Sequence, residues 1–129
     1  MKVLVLSNNE LKSKEIKNTL EDLQKIVGRY IEIPFLSQKF LEHDIDIIIN
    51  EEGKFIEGLK PEIAVIKEGT NTILDIVYGN CIFASHDVEG NTVALTEEQT
   101  KVVMDELKYE AVLHDGKSNN SFVTKVLYI

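Results

Sequence analysis

Each of the three histidines is followed by an aspartate: His43-Asp44, His86-Asp87 and His114-Asp115. Imidazole and carboxylate ligate zinc and redox metals, and His-Asp pairs hold metals in helical phosphohydrolases. Here the pairs fall at expected strand ends and in a polar stretch, without a helical scaffold, so solvated surface residues describe them better than a metal centre. Ser85-His86-Asp87 has the residue types of a hydrolytic triad. Adjacent residues of one strand point to opposite sides, however, and cannot align nucleophile, base and orienter. Cys81 stands in an apolar run and reads as a buried, inert thiol. The glycines are scattered, with neither a P-loop nor GxGxxG. Neither a catalytic residue, nor a metal, nor a cofactor is expected.

Five polar residues remain as candidates for contact with a partner or ligand: Tyr30, Glu32, Asn50, Glu51 and Glu52. Two short motifs carry them, Val27-Gly28-Arg29-Tyr30-Ile31-Glu32 and Asn50-Glu51-Glu52-Gly53-Lys54. The first reads as a helix end running directly into a strand, the second as an acidic turn closing a very apolar strand. A purely architectural role is the competing reading, because turns select Asn and Gly for backbone reasons.

The elements that position these residues follow from periodicity. Val3 to Leu6 reads as a buried strand ended by Ser7-Asn8-Asn9. Ile16, Leu20, Leu23 and Val27 form one apolar stripe, which predicts a helix from about Ser13 to Val27, with Ser13 as N-cap, Glu15 near the positive end of the dipole and Gly28 as C-cap. Tyr30 to Phe35 reads as a strand that Pro34 confines to an edge or ends early. Asp44 to Asn50 is a strand with Ile45, Ile47 and Ile49 on one face and Asp46 and Ile48 on the other. Gly53 is expected at positive φ, Lys54 to Ile56 as a short returning strand, and Pro61 as the opening of a helical turn. Asp75 to Ser85 reads as one long strand bent at Gly79, followed by a hairpin turn over residues 88–91. Thr96-Glu97-Glu98-Gln99 is a capping box for a helix to about Lys108, burying Val102, Val103 and Leu107. His114 to Ser121 reads as a polar loop and Phe122 to Ile129 as a terminal strand.

The order of elements predicts an α+β fold over residues 1–129 as a single domain. Its expected form is a mostly antiparallel sheet with two helices packed on one face. The chain is long enough for its own core. Fourteen basic residues against twenty-two acidic ones give a net charge of −8 over 129 residues. Such a surface repels nucleic acid and anionic membranes and suits a basic protein partner. No basic stripe with aromatics suggests nucleic-acid contact. One cysteine excludes a disulfide framework and fits a cytoplasmic setting. No segment is apolar enough to span a membrane, and the short N-terminal apolar run lacks the features of a signal peptide.

The two motifs, in this order and at this spacing, resemble a family defined only as a domain of unknown function, common in phages, plasmids and Firmicutes. Its pattern is Val-Gly-Gly-Tyr-Ile-Glu, then Asn-Glu-Glu-Gly-Lys, Gly-Leu-Pro and a Gly-Asp-containing strand. The chain matches with residues 27–32 and 50–54, Gly58-Leu59, Pro61 and Ala64, and Asp75-Ile76-Val77 leading to Gly79-Asn80. It departs at Arg29, at Lys60 and at Asn80. The likeness covers residues 1 to about 100. It implies an accessory protein of a phage or other mobile element and carries over no chemistry.

Together these features predict a small acidic, non-enzymatic protein that binds another macromolecule. A host or defence protein with a basic surface, masked in the manner of a DNA mimic, is the sharpest form of that expectation. The alternative is a small ligand-binding module or enzyme using the Tyr30, Glu32, Asn50, Glu51 and Glu52 patch. A homodimer through an open sheet edge is conceivable beside a monomer.

Overall fold

A computed structural model of the chain describes residues 1–115 and 120–129. The fold is α+β, with two sheets sharing one core. Strand β1 (Lys2–Ser7) buries Val3, Leu4, Val5 and Leu6 in succession. Asn8 and Asn9 then take left-handed φ of 50° and 63°. Two such residues match the twist of a tight hairpin, and Asn tolerates them better than most. The chain therefore returns as β2 (Glu10–Glu15), paired from Ser7↔Glu10 to Lys2↔Glu15.

This corrects the helix expected from Ser13. Helix α1 spans only Leu20–Val27, and its N-cap is Thr19, whose hydroxyl accepts from the Asp22 N–H at 3.2 Å. Ile16 is buried, but as an extension of the hairpin, its N–H donating to the Met1 carbonyl. Leu20 is 58% exposed, so the apolar stripe holds only from Leu23 to Val27. Gly28 ends α1 as expected, with φ 112° and its N–H on the Gln24 carbonyl.

Strand β3 (Ile31–Glu32) stops short of Pro34 and lies at a sheet edge, paired with β4 (Ile45–Asn50). Between them, a short helix α2 (Gln38–Glu42) that the periodicity did not signal is capped by Ser37 and buries Phe40. After β4, residues Gly53–Phe55 form a single 3-10 turn rather than a returning strand. Gly53 is not at positive φ. A Cβ there would lie 2.8 Å from the Tyr78 carbonyl oxygen, so close approach is what requires glycine.

Pro61 opens a strand, β5 (Pro61–Ile66), instead of a helical turn; the first residue of a strand tolerates its missing donor. The expected long strand is two, β6 (Ile73–Tyr78) and β7 (Cys81–His86), and Gly79 at φ 83° carries the chain from one sheet to the other. β8 (Thr92–Val93) folds back on β7 through the expected turn. Helix α3 (Glu97–Glu106) has the expected capping box and buries Val103, with Leu107 buried at its C-cap. β9 (Tyr109–Asp115) and β10 (Asn120–Tyr128) then form a hairpin in which His114 opposes Ser121. The polar loop expected there thus has both ends in strands, and its residues 116–119 lie outside the described ones.

The first sheet is antiparallel, in the order β2-β1-β7-β4-β3, with β8 also on β7. The second is mixed, β6-β5-β10-β9, its β5 and β10 parallel. Alternation divides the core. Leu4, Leu6, Ile47 and Phe83 meet Ile63, Val65 and Leu127 of the second sheet, together with Phe40 of α2 and Val103 of α3. Val3, Val5, Ile48 and Ile82 face the other way and are covered by Leu23 and Val27 of α1. The helices consequently divide between the two faces instead of sharing one, because a first sheet apolar on both faces needs cover on both.

Candidate functional site

The two motifs meet at one corner of the first sheet. Ile31 opposes Asn50, Glu32 opposes Ile49, and the Glu51 N–H donates to the Tyr30 carbonyl at 2.8 Å. Asn50 is buried, and its Oδ1 accepts from the Glu52 N–H at 2.8 Å. Its amide lies against Gly28, where a Cβ would stand 2.5 Å from Nδ2. Gly28 and Asn50 are therefore complementary parts of one corner: the glycine leaves the space that the asparagine side chain fills while it ties the turn.

The other four candidate side chains, Tyr30, Glu32, Glu51 and Glu52, are exposed. Glu32, Asn50 and Glu51 line a cleft of about 150 Å³ with Lys54, Asp75 and Tyr78, and Lys54 is ion-paired to Asp75. Tyr30 and Glu52 are not part of that lining; Tyr30 is exposed beneath the Arg29 guanidinium, 5.2 Å from its ring centre. The structure thus brings three of the five candidate residues to one cleft, one of them buried and committed to the turn.

Next to this cleft, sharing Pro34 and Leu36 with it, lies an apolar groove of about 160 Å³ between the segment after β3 and α2. Ile33, Phe35 and Leu41 stand exposed at its lip, Phe35 by 66%, and Phe40, Ile45 and Ile47 form its floor. Pro34 creates the feature. By ending the β3 ladder it releases residues 33–37 from β4, and Ser37 restarts the chain as α2. The exposure of Phe35 had no signal in the sequence, where residues 30–35 read as one strand. Around the cleft Glu32, Glu51 and Asp75 face one lysine, Lys54, while the Asp46 carboxylate turns to the other face of β4, 3.0 Å from His86 Nδ1.

The histidines fall at three separate places. His86 lies between two aspartates of β4 and its approach, Nδ1 3.0 Å from Asp46 and Nε2 3.5 Å from Asp44. His43 Nδ1 contacts the Lys39 carbonyl at 2.9 Å and His114 Nδ1 the Ser121 hydroxyl at 3.3 Å. Among the described residues no group of three or more His, Cys, Asp or Glu has the geometry to hold a metal. The Ser85 hydroxyl donates to the Asp44 carbonyl at 2.7 Å and accepts from Gln99, whereas Asp87 caps the β7–β8 turn, whose backbone N–H groups hold its carboxyl below the usual range. Burial pushes the Cys81 thiol far up, with the Glu62 carboxylate adding to the effect. Glu62 itself is buried. Its carboxyl accepts from the Asn8 and Asn9 N–H groups at 3.0 and 2.9 Å and ties the β1–β2 turn to β5, yet burial outweighs those bonds and raises its pKa.

A family model described as a domain of unknown function (DUF3846) matches residues 1–108, a span that holds both motifs and the corner they build. The chain belongs to the DUF3846 family. Nothing among curated proteins or solved structures matches it. The DUF3846 region ends at Lys108, one residue before β9, so the β9–β10 hairpin lies outside it. That hairpin nevertheless supplies half the strands of the second sheet, and Leu127 of β10 is part of the shared core. Among the described residues no helix is long and apolar enough to cross a membrane.

Proposed function

We propose that this DUF3846 protein is a mobile-element accessory protein of the cytoplasm that acts by binding another protein, through the groove between β3 and α2 and the acidic cleft beside it. The observation that carries the reading is the exposed Ile33, Phe35 and Leu41 around a groove that adjoins a cleft lined by Glu32, Glu51 and Asp75. An apolar centre with an aromatic anchor inside a polar rim is the anatomy of protein interfaces. The cleft and groove, about 150 and 160 Å³, are smaller than the roughly 300–1,000 Å³ of sites that enclose small ligands. They suit an inserted side chain instead. A net charge of −8 and the carboxylates Glu32, Glu51 and Asp75 of the adjoining cleft favour a partner with basic residues around an apolar anchor, such as a host or defence protein with a basic surface.

Affinity capture from cells of the source organism tests the proposal, using wild type, Phe35→Ser and Glu32→Lys/Glu51→Lys. A stoichiometric partner should be retained by wild type, be lost with Phe35→Ser, and be weakened by the charge reversal and by high salt, which screens the rim. Recovery of one partner in equal amount by all three proteins would refute the assignment.

A further inference from the structure

An exposed edge strand offers its unpaired N–H and C=O groups to any other strand, and folded proteins usually guard such edges. Among the described residues the other outer strands are guarded, or, like β8, only two residues long. β2 is Glu-Leu-Lys-Ser-Lys-Glu, charged at four of six positions. β3 is two residues long and runs into Pro34. β6 is broken by two register shifts against β5. β9 is less guarded, its charged residues Glu110 and Asp115 lying towards its two ends. It is seven residues long, contains no proline, and pairs with β10 without interruption from Tyr109↔Val126 to Asp115↔Asn120. On its outer side no other element makes an extensive contact among the described residues. Val112, at its middle, is 71% exposed, and its cross-strand neighbour Val123 is 48% exposed.

We infer that β9 pairs antiparallel with β9 of a second copy of this chain about a two-fold axis at Val112, joining the two four-stranded sheets into one. The sequence Glu110-Ala111-Val112-Leu113-His114 is self-complementary in that register. Val112 opposes Val112 of the second copy, Ala111 opposes Leu113, and Glu110 opposes His114. Directly opposed residues of an antiparallel pair share a face. One face of the joined sheet therefore carries a row of four valines, Val123-Val112 from each copy. Beside it a carboxylate meets an imidazole, with Lys125 already 3.0 Å from Glu110 on the inner side. Moving the axis by one residue to Ala111 sets Glu110 against Val112 and brings Lys108 opposite His114. Moving it to Leu113 sets Val112 against His114. Only the Val112 register matches apolar with apolar and acid with base, which is why a second copy, rather than an unrelated strand, fits this edge.

Light scattering and sedimentation of the whole chain over a wide concentration range provide the test. Wild type should approach twice the chain mass of 14.6 kDa. Val112→Lys changes an exposed edge position, should keep the wild-type circular dichroism and melting, and should weaken self-association at least tenfold by placing two ammonium groups face to face. Register is read by mild oxidation. Val112→Cys should cross-link to a dimer because the two positions oppose each other, whereas His114→Cys should not, and Cys81 is buried and does not compete. A wild type that stays monomeric up to millimolar concentration would overturn the inference, leaving the edge to another protein's strand. A dimer indifferent to Val112→Lys, or equal cross-linking at positions 112 and 114, would overturn it as well.

Discussion

Replacing Gly28 by alanine tests whether the two motifs form one physical unit. Gly28 has φ 112° and ψ 179°, a region that side chains other than glycine's occupy only under strain. A residue forced there costs roughly 1–3 kcal/mol. The new methyl would also stand 2.5 Å from Asn50 Nδ2, so the buried amide must move and its bond to the Glu52 N–H is lost. A hydrogen bond of this kind contributes about 1 kcal/mol net. Together the expected loss is roughly 2–4 kcal/mol, out of a total stability of about 5–15 kcal/mol for a small domain. Urea unfolding followed by circular dichroism measures it directly, and a melt should show a fall of roughly 6–20 °C. Gly58→Ala is the control, because Gly58 has φ 88° but nothing within 4 Å of the added methyl, so it should show the backbone cost alone. Asn50→Ala completes the cycle. With the amide gone the methyl has room, so the double variant should be more stable than the sum of the single losses by about 1 kcal/mol. A Gly28→Ala protein no less stable than Gly58→Ala, with losses additive to those of Asn50→Ala, would refute the claim that Gly28 exists to seat Asn50.

Ile47 is 2% exposed at the floor of the core, so Ile47→Asp should abolish cooperative unfolding in a calorimetric scan, an unpaired buried carboxylate costing several kcal/mol. The raised pKa of Glu62 gives a signed pH effect. A carboxyl whose folded pKa is raised contributes stability that is complete below its ordinary value near 4.5 and is lost as pH rises through the folded value. Denaturation of wild type and Glu62→Gln at a series of pH values should show wild type losing ground to the variant as pH rises past 4.5, and a pH-independent difference would contradict it. Cys81, buried and with its thiol pushed up, should resist a thiol reagent in the native protein and react fully after unfolding in guanidinium.

What the sequence made legible was local. The capping box at Thr96–Gln99, the glycine stop at Gly28, the two-faced isoleucine strand β4 and the turn before Thr92 all depend on residues within a few positions of one another. The errors arose where a local pattern had two solutions and a distant contact chose. Residues 10–15 continue no helix, because Asn8-Asn9 bend the chain back onto β1, and the stripe through Ile16 and Leu20 was partly coincidental. Pro61 fits a helix start and a strand start equally well; the parallel partner β10, some sixty residues on, decides for the strand. The stretch 75–85 looked continuous because both its halves are apolar, yet they serve different sheets. The candidate site was legible as an acidic corner, since Glu32, Asn50 and Glu51 do share a cleft. Its apolar half was not, because the exposure of Phe35 follows from where Pro34 and α2 leave the chain in space, which no periodicity encodes.

Binding through the Phe35 groove is tested most directly by site-specific photo-cross-linking in cells of the source organism. A photoreactive amino acid is placed at position 35 in one strain and at position 88 in another. Val88 is fully exposed on the β7–β8 turn and lies outside both concavities, so it reports nonspecific encounters. The expected result is one discrete heavier adduct from position 35, diminished by Glu32→Lys/Glu51→Lys, and none from position 88. Equal adducts at both positions, or none at position 35 while the protein is abundant and folded, would contradict the assignment of this groove as the binding surface.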